Sequence, residues 1–282
     1  MFALLTALVL GFRFQELPFG GVQVSAEGKS QYVWGPFRGP SANDGFVDGW
    51  ARWNFTGYEG KAAYGEYFGV VQTMKALGQD PQQGCGRALW ENNGELNKYG
   101  TTMSLMLLPF WTDGCIGSME GLFFEAAGST PYHFITAAAM SKQSSNPVRE
   151  LRYDNNDAAK GVRYLQELGV KYFMGFTPEA IAAASGQEAL TEVARSGPWV
   201  VYRVAQSEIV VPLAVQPVVV DLADNDPREP WLEVGTSWFQ QPDLWTTPVA
   251  DAGPDEWQRV QAVVEMEKRD GEPGSRSRRV DV

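Results

Sequence analysis

The sequence predicts an α+β fold in which small mixed sheets are joined by irregular, aromatic-rich loops. Three stretches carry that prediction. "YDNNDAAKGVRYLQELGVKYFMGF" steps from a capped helix through a glycine into a strand, "TPEAIAAASG" opens a short helix on Thr-Pro, and "LTEVARSGPWVVYRV" sets two β-rich runs across a Ser-Gly-Pro turn. Helix, strand, helix and hairpin in succession make a mixed α/β layer.

The elements follow in order. "MFALLTALVLGF" is an apolar run of about twelve residues, where a spanning helix needs roughly twenty. It lacks the positively charged start and the Ala-x-Ala cleavage pattern of a signal peptide. Residues 1–12 are therefore expected to be the outer end of a truncated transmembrane helix, with Met1 an internal methionine. From residue 13 to 60 the chain is rich in Gly, Pro, Asn and Trp without a helical period, which reads as loops and short strands. Tyr64, Tyr67, Phe68, Val71, Met74 and Leu77 then recur at three- and four-residue intervals, predicting a helix over 61–78 that stops on Gly78. The segment between Cys85 and Cys115 holds a strand or short helix near Arg87–Glu91 and an apolar run from Met103 to Phe110 of ambiguous period. The expected organisation is an aromatic and glycine-rich domain over 13–150, an α-β-α-ββ subdomain over 151–206, a β-rich segment over 207–265 and a disordered tail over 266–282.

Composition excludes several functions. With 34 Asp and Glu against 23 Lys and Arg, the net charge is −11, and such a chain repels nucleic acid and anionic headgroups. Ten Trp, ten Tyr and fifteen Phe suit surfaces that stack on flat neutral ligands such as sugar rings. The phosphate-binding loop, the dinucleotide fingerprint and the GxSxG elbow are all missing from the sequence. Two cysteines and one histidine make no zinc cluster, so no metal and no cofactor is expected. Outside the cytoplasm Cys85 and Cys115 would bridge, adding about 3 to 4 kcal/mol; inside it they would remain two buried thiols.

The sharpest candidates lie in "LLPFWTDGCIGSMEGLFFE". Asp113 with Glu120 or Glu125 could supply the paired carboxyl groups of a glycosidase. The glycines and Cys115 argue equally for a tight turn in which Asp113 accepts backbone N–H groups and Glu120 caps or pairs with an arginine. Trp111 lies beside them. "DGWARWNFTGYEGK" offers Trp50, Trp53, Tyr58, Glu59 and Lys61 as a polar-aromatic platform. His133, in "TPYHFITAAAM", is the one available imidazole base.

"ARWNFTGYEGKAAYGEY", "GCGRALWE", "LMLLPFWTDGCIGSMEGLFFEAAGSTPYHF", "GVRYLQELGVKYFMGFTPEAIAAA", "SGPWVVYRV" and "GPDEWQRV" together resemble the large extracytoplasmic portion of actinobacterial multi-pass membrane proteins. Those proteins are similar to GT-C-type glycosyltransferases and YfhO-like membrane proteins, and some carry a label relating them to 6-pyruvoyl-tetrahydropterin synthase. A pterin synthase needs a histidine cluster that this chain lacks. The resemblance implies a soluble domain on the outer side of the cell membrane, acting in cell-envelope glycan or glycolipid assembly. Its expected partners are a cell-envelope glycan or a lipid-linked sugar, and its expected role is to bind or position the acceptor. It also implies that polyprenyl-phosphate-sugar chemistry resides in a first outer loop outside this chain, so no catalytic residue carries over. The rival expectations are a scaffold for envelope transport and a secreted glycoside hydrolase using Asp113 with Glu120 or Glu125.

Overall fold

The computed structural model of the chain describes residues 1–24, 30–41, 52–120, 128–148, 151–222, 228–268 and 276–281. Its contacts divide it into two units, Met1–Tyr64 with Lys98–Gly100, and Gly65–Asn97 with Thr101–Val282.

In the first unit the apolar opening run forms α1 (Phe2–Arg13), whose described length is 12 residues and which buries none of its side chains. Among the described residues no helix is long and apolar enough to cross a membrane. Strands β1 (Gly21–Val24), β2 (Ser30–Trp34) and β3 (Phe37–Pro40) follow as an antiparallel meander. Gly35, at φ +58°, makes the tight β2–β3 turn, and across it Trp34 and Phe37 stack at 6.0 Å. Phe12 meets Tyr32 edge-on at 5.6 Å, so aromatic packing ties the end of α1 to the meander. A single helical turn, α2 (Arg52–Phe55), completes the described part of this unit.

The second unit is built on a five-stranded sheet. Helix α3 (Tyr64–Gln79) starts at the boundary and leads to β4 (Gly86–Trp90); a 3₁₀ segment and the single turn α4 (Leu108–Trp111) lead to β5 (Ile116–Ser118). Then come α5 (Thr130–Ala139), α6 (Ala158–Glu167), β6 (Val170–Gly175), α7 (Pro178–Ser185), β7 (Leu190–Ser196) and β8 (Trp199–Val204). The strand order is β5-β4-β6-β8-β7. β5, β4 and β6 are parallel, β8 runs antiparallel to β6, and the edge strand β7 runs antiparallel to β8. The fold is thus α+β, as expected, with the sheet drawing strands from both sides of residue 150. The compact units divide at Tyr64.

Local chemistry explains the best-formed elements. Asp157 accepts the Lys160 N–H at the head of α6, and Thr177 accepts the Ala180 N–H at the head of α7, with Pro178 in its first turn. Gly169, at φ +61°, ends α6 and lets the chain enter β6. On one sheet face Leu89, Phe173, Val200, Tyr202 and Val204 pack with Val162 and Leu165 of α6 and Ala184 of α7, each large side chain contributing about 1.5 to 3 kcal/mol by leaving water.

Helix α3 lies against the sheet through its glycines. A Cβ on Gly69 would stand 3.1 Å from Ser196 Oγ in the β7–β8 hairpin, and one on Gly78 only 2.6 Å from Cys115 Sγ. Gly78 is therefore inside the helix and serves close approach, where the sequence suggests a stop. Cys85 and Cys115 are bonded, with Cα atoms 4.7 Å apart, directly before β4 and β5.

The segment expected to be β-rich holds a helix. After β9 (Val218–Leu222) comes α8 (Arg228–Phe239), then β10 (Val249–Ala250) and β11 (Arg259–Lys268). Val234 and Trp231 of α8 pack on Val220, Val249 and Val260 of the second sheet, while Phe239 packs with Ile135 and Tyr164. The tail expected to be disordered contains β12 (Arg276–Asp281), antiparallel to β11; the order of this sheet is β10-β9-β11-β12.

Gly78→Ala should lower stability by about 1 to 3 kcal/mol, although alanine is the better helix former by about 1 kcal/mol. Urea unfolding checks this, and a stabilised variant would show that α3 does not press on the disulfide.

Candidate functional site

Three parallel strands in an open sheet focus attention on their carboxyl ends, where loops diverge and ligands bind in folds of this kind. Two acids stand there, one after β4 and one beyond β5. They have opposite surroundings.

Glu91, directly after β4, is 0% exposed. Its Oε2 accepts the N–H groups of Phe176 and Thr177 at 2.8 and 2.7 Å, and its Oε1 accepts the Thr177 hydroxyl at 2.7 Å. The carboxylate thus fastens the end of β6 and the head of α7 to β4, with three charge-assisted bonds offsetting its burial. The sequence barely marks it. Its only local signal is an acid closing the apolar run "RALWE", because the groups that need it lie some 85 residues downstream.

Glu120 lies just past β5, and its N–H donates to Ser118 Oγ at 3.1 Å. Its Oε1 lies 2.8 Å from His133 Nε2 of α5, with the two side chains 6% and 3% exposed. A proton lies between them, donated by the ring to a carboxylate or by a carboxyl group to the ring. Glu120 Oε2, His133 Nδ1 and Thr130 Oγ1 are buried without a hydrogen-bond partner among the described residues. Burying such atoms without partners is costly. Two candidates far apart in sequence reading are thereby brought together. The expected arginine partner of Glu120 is replaced by His133.

Asp113 is not part of this cluster. It is exposed, at φ +52°, in the turn before β5, whereas Glu120 follows β5. A three-residue strand, about 10 Å long at ~3.3 Å per residue, lies between them, so they stand beyond opposite ends of β5. Nor does Asp113 stitch its turn. Thr112 does so, its hydroxyl donating to Leu108 O at 2.7 Å and accepting the Ile116 N–H at 3.0 Å. Trp111 donates its ring N–H to Tyr67 Oη at 2.9 Å, and Tyr67 donates to Ser104 O at 3.1 Å, which makes it a core strut. Glu125 lies outside the described residues.

In the first unit the polar-aromatic platform is partly consumed by its own packing. The Lys61 ammonium donates to Trp53 O and, at 3.0 Å, to Thr56 Oγ1. It also sits 3.8 Å from the Trp53 ring centroid, a cation–π contact. Burial pushes the Lys61 pKa down and the Tyr58 pKa up. Trp53 remains 44% exposed and Glu59 is exposed; Trp50 lies outside the described residues.

The opposite, amino-terminal edge of the sheet was also missed. There the carbonyls of residues 82–85 all accept from side chains of β6 and β8. Arg203 Nη1 donates to Gln82 O at 3.2 Å, the Lys171 ammonium to Gln83 O and, at 3.1 Å, to Cys85 O, and Tyr172 Oη to Gly84 O at 2.6 Å. Burial pushes the Tyr172 pKa up to about 12, so the hydroxyl stays a donor. Among the described residues no group of His, Cys, Asp and Glu could hold a metal ion.

Glu91→Ala should cost about 3 to 5 kcal/mol, since it leaves one buried and two part-buried donors without an acceptor; a loss under 1 kcal/mol in urea unfolding would contradict the assignment. Glu120→Ala and His133→Ala should each cost about 3 kcal/mol. The double variant should cost at least 1 kcal/mol less than their sum, as a thermodynamic cycle would reveal. No family model, no curated protein and no solved structure matches the chain.

Proposed function

We propose that this chain is the extracytoplasmic domain of a membrane-anchored, GT-C-like protein of cell-envelope glycan or glycolipid assembly, and that it binds or positions the acceptor. The observation that carries the proposal is the Cys85–Cys115 bond, because disulfides persist in oxidising compartments and are rare in the cytosol. Helix α1 supports anchorage: Phe2, Leu4, Leu5, Val9 and Leu10 are exposed, and a helix that is apolar on every side belongs in lipid or in a core. The resemblance of the sequence motifs to outer domains of multi-pass envelope proteins points the same way.

The site chemistry favours binding over bond cleavage. Asp113 and Glu120 stand beyond opposite ends of β5, and Glu91 is fully occupied in holding α7. The Glu120–His133 pair suits a neutral, hydroxyl-rich acceptor, as does the net charge of −11, which repels polyanions. The chemistry of transfer would then belong to a loop outside this chain.

In intact cells the protein should fractionate with the membrane, be cut by protease added from outside, and resist a thiol-alkylating reagent until a reductant is supplied. A soluble cytosolic protein whose two thiols are alkylated at once would overturn the proposal.

A further inference from the structure

A groove of about 660 Å³ opens on the amino-terminal edge of the five-stranded sheet, well away in sequence from Glu120 and His133, lined among others by Gln83, Cys85, Lys171, Arg203, Glu208 and Ile209. Two of these residues are cations. Neither Lys171 nor Arg203 takes part in an ion pair among the described residues. The acids that reach the region are Glu208, on the groove wall, and Asp80, whose carboxylate accepts the Gln82 N–H at 2.7 Å.

The cations are held in place by the backbone. Lys171 is pinned by the carbonyls of Gln83 and Cys85, and Arg203 by that of Gln82. One glycine makes room: a Cβ on Gly86 would lie 2.5 Å from Lys171 Cδ and 2.7 Å from its Cβ. The bond to Gln82 O engages one Arg203 nitrogen, Nη1, and leaves the rest of the guanidinium fork for a ligand. Burial and the neighbouring Arg203 charge both push the Lys171 pKa down, the direction expected of two like charges held together until an anion joins them. In a chain of net charge −11, general electrostatics would not gather them.

We propose that this groove binds a phosphate group, with the Arg203 fork taking two of its oxygens and the Lys171 ammonium supplying the second positive charge. The inference goes beyond the acceptor-binding reading and does not depend on the compartment in which the chain resides. A soluble sugar phosphate and a phospholipid headgroup share the required chemistry.

The test uses the oxidised, folded chain, with inorganic pyrophosphate as probe in calorimetry or backbone-amide NMR. Saturable binding is expected, with shifts centred on residues 82–86, 171 and 203. Arg203→Gln should weaken it about tenfold or more with the fold retained, and Gly86→Ala should weaken it by displacing Lys171. If vesicles of phosphatidylcholine with phosphatidic acid bind the chain and pyrophosphate competes, the source is a lipid headgroup. If pyrophosphate binds and the vesicles do not, the source is soluble. No saturable pyrophosphate binding, or binding that Arg203→Gln leaves intact, would overturn the proposal.

Discussion

A single covalent bond sets the geometry on which much of the second unit depends. Cys85 and Cys115 precede two adjacent parallel strands and close a separation of 30 residues, for which the chain-entropy estimate is about 3 to 4 kcal/mol. Parallel neighbours cannot be joined by a tight hairpin, and β5 offers β4 only three residues of pairing. The bond supplies what so short a ladder cannot. It also forms the surface that Gly78 of α3 approaches, and it fixes one end of the loop whose carbonyls receive Arg203, Lys171 and Tyr172. Helix seat, strand register and cation placement therefore share one constraint.

The two ends of the parallel strands differ in how their polar groups are satisfied. At the amino ends, backbone carbonyls meet side-chain donors, leaving positive charge facing a groove. At the carboxyl ends, Glu91 is bonded through both oxygens and behaves as structure, whereas Glu120 and His133 satisfy one another and keep a further buried atom each without a partner among the described residues. Low surroundings of water make such half-satisfied pairs expensive.

What the sequence made legible was local. The cap on Asp157, the apolar spacing of Ala158, Val162 and Leu165, the αL glycine at 169 and the Thr177-Pro178 start all act within a few residues, and α6, β6 and α7 follow from them. Helix α8 hid behind Val234, Thr236 and three aromatic residues, which favour strands, and behind Gly235, a poor helix former. Its Pro230 start and the spacing of Trp231, Val234 and Trp238 were the available signal. Glu91, Lys171 and Arg203 could not be found this way, because their partners lie some 85 to 121 residues distant in the chain. Asp113 misled for the converse reason: a nearby acid looked chemical, while β5 carries Glu120 away from it.

The most direct test of the disulfide's governing role is amide hydrogen exchange on the chain with the bond intact and after reduction. The account predicts a selective loss of protection at residues 80–88, 112–118 and the last turn of α3, with β6 and β8 still protected. Unchanged exchange at those segments, or an equal loss across the whole sheet, would contradict it.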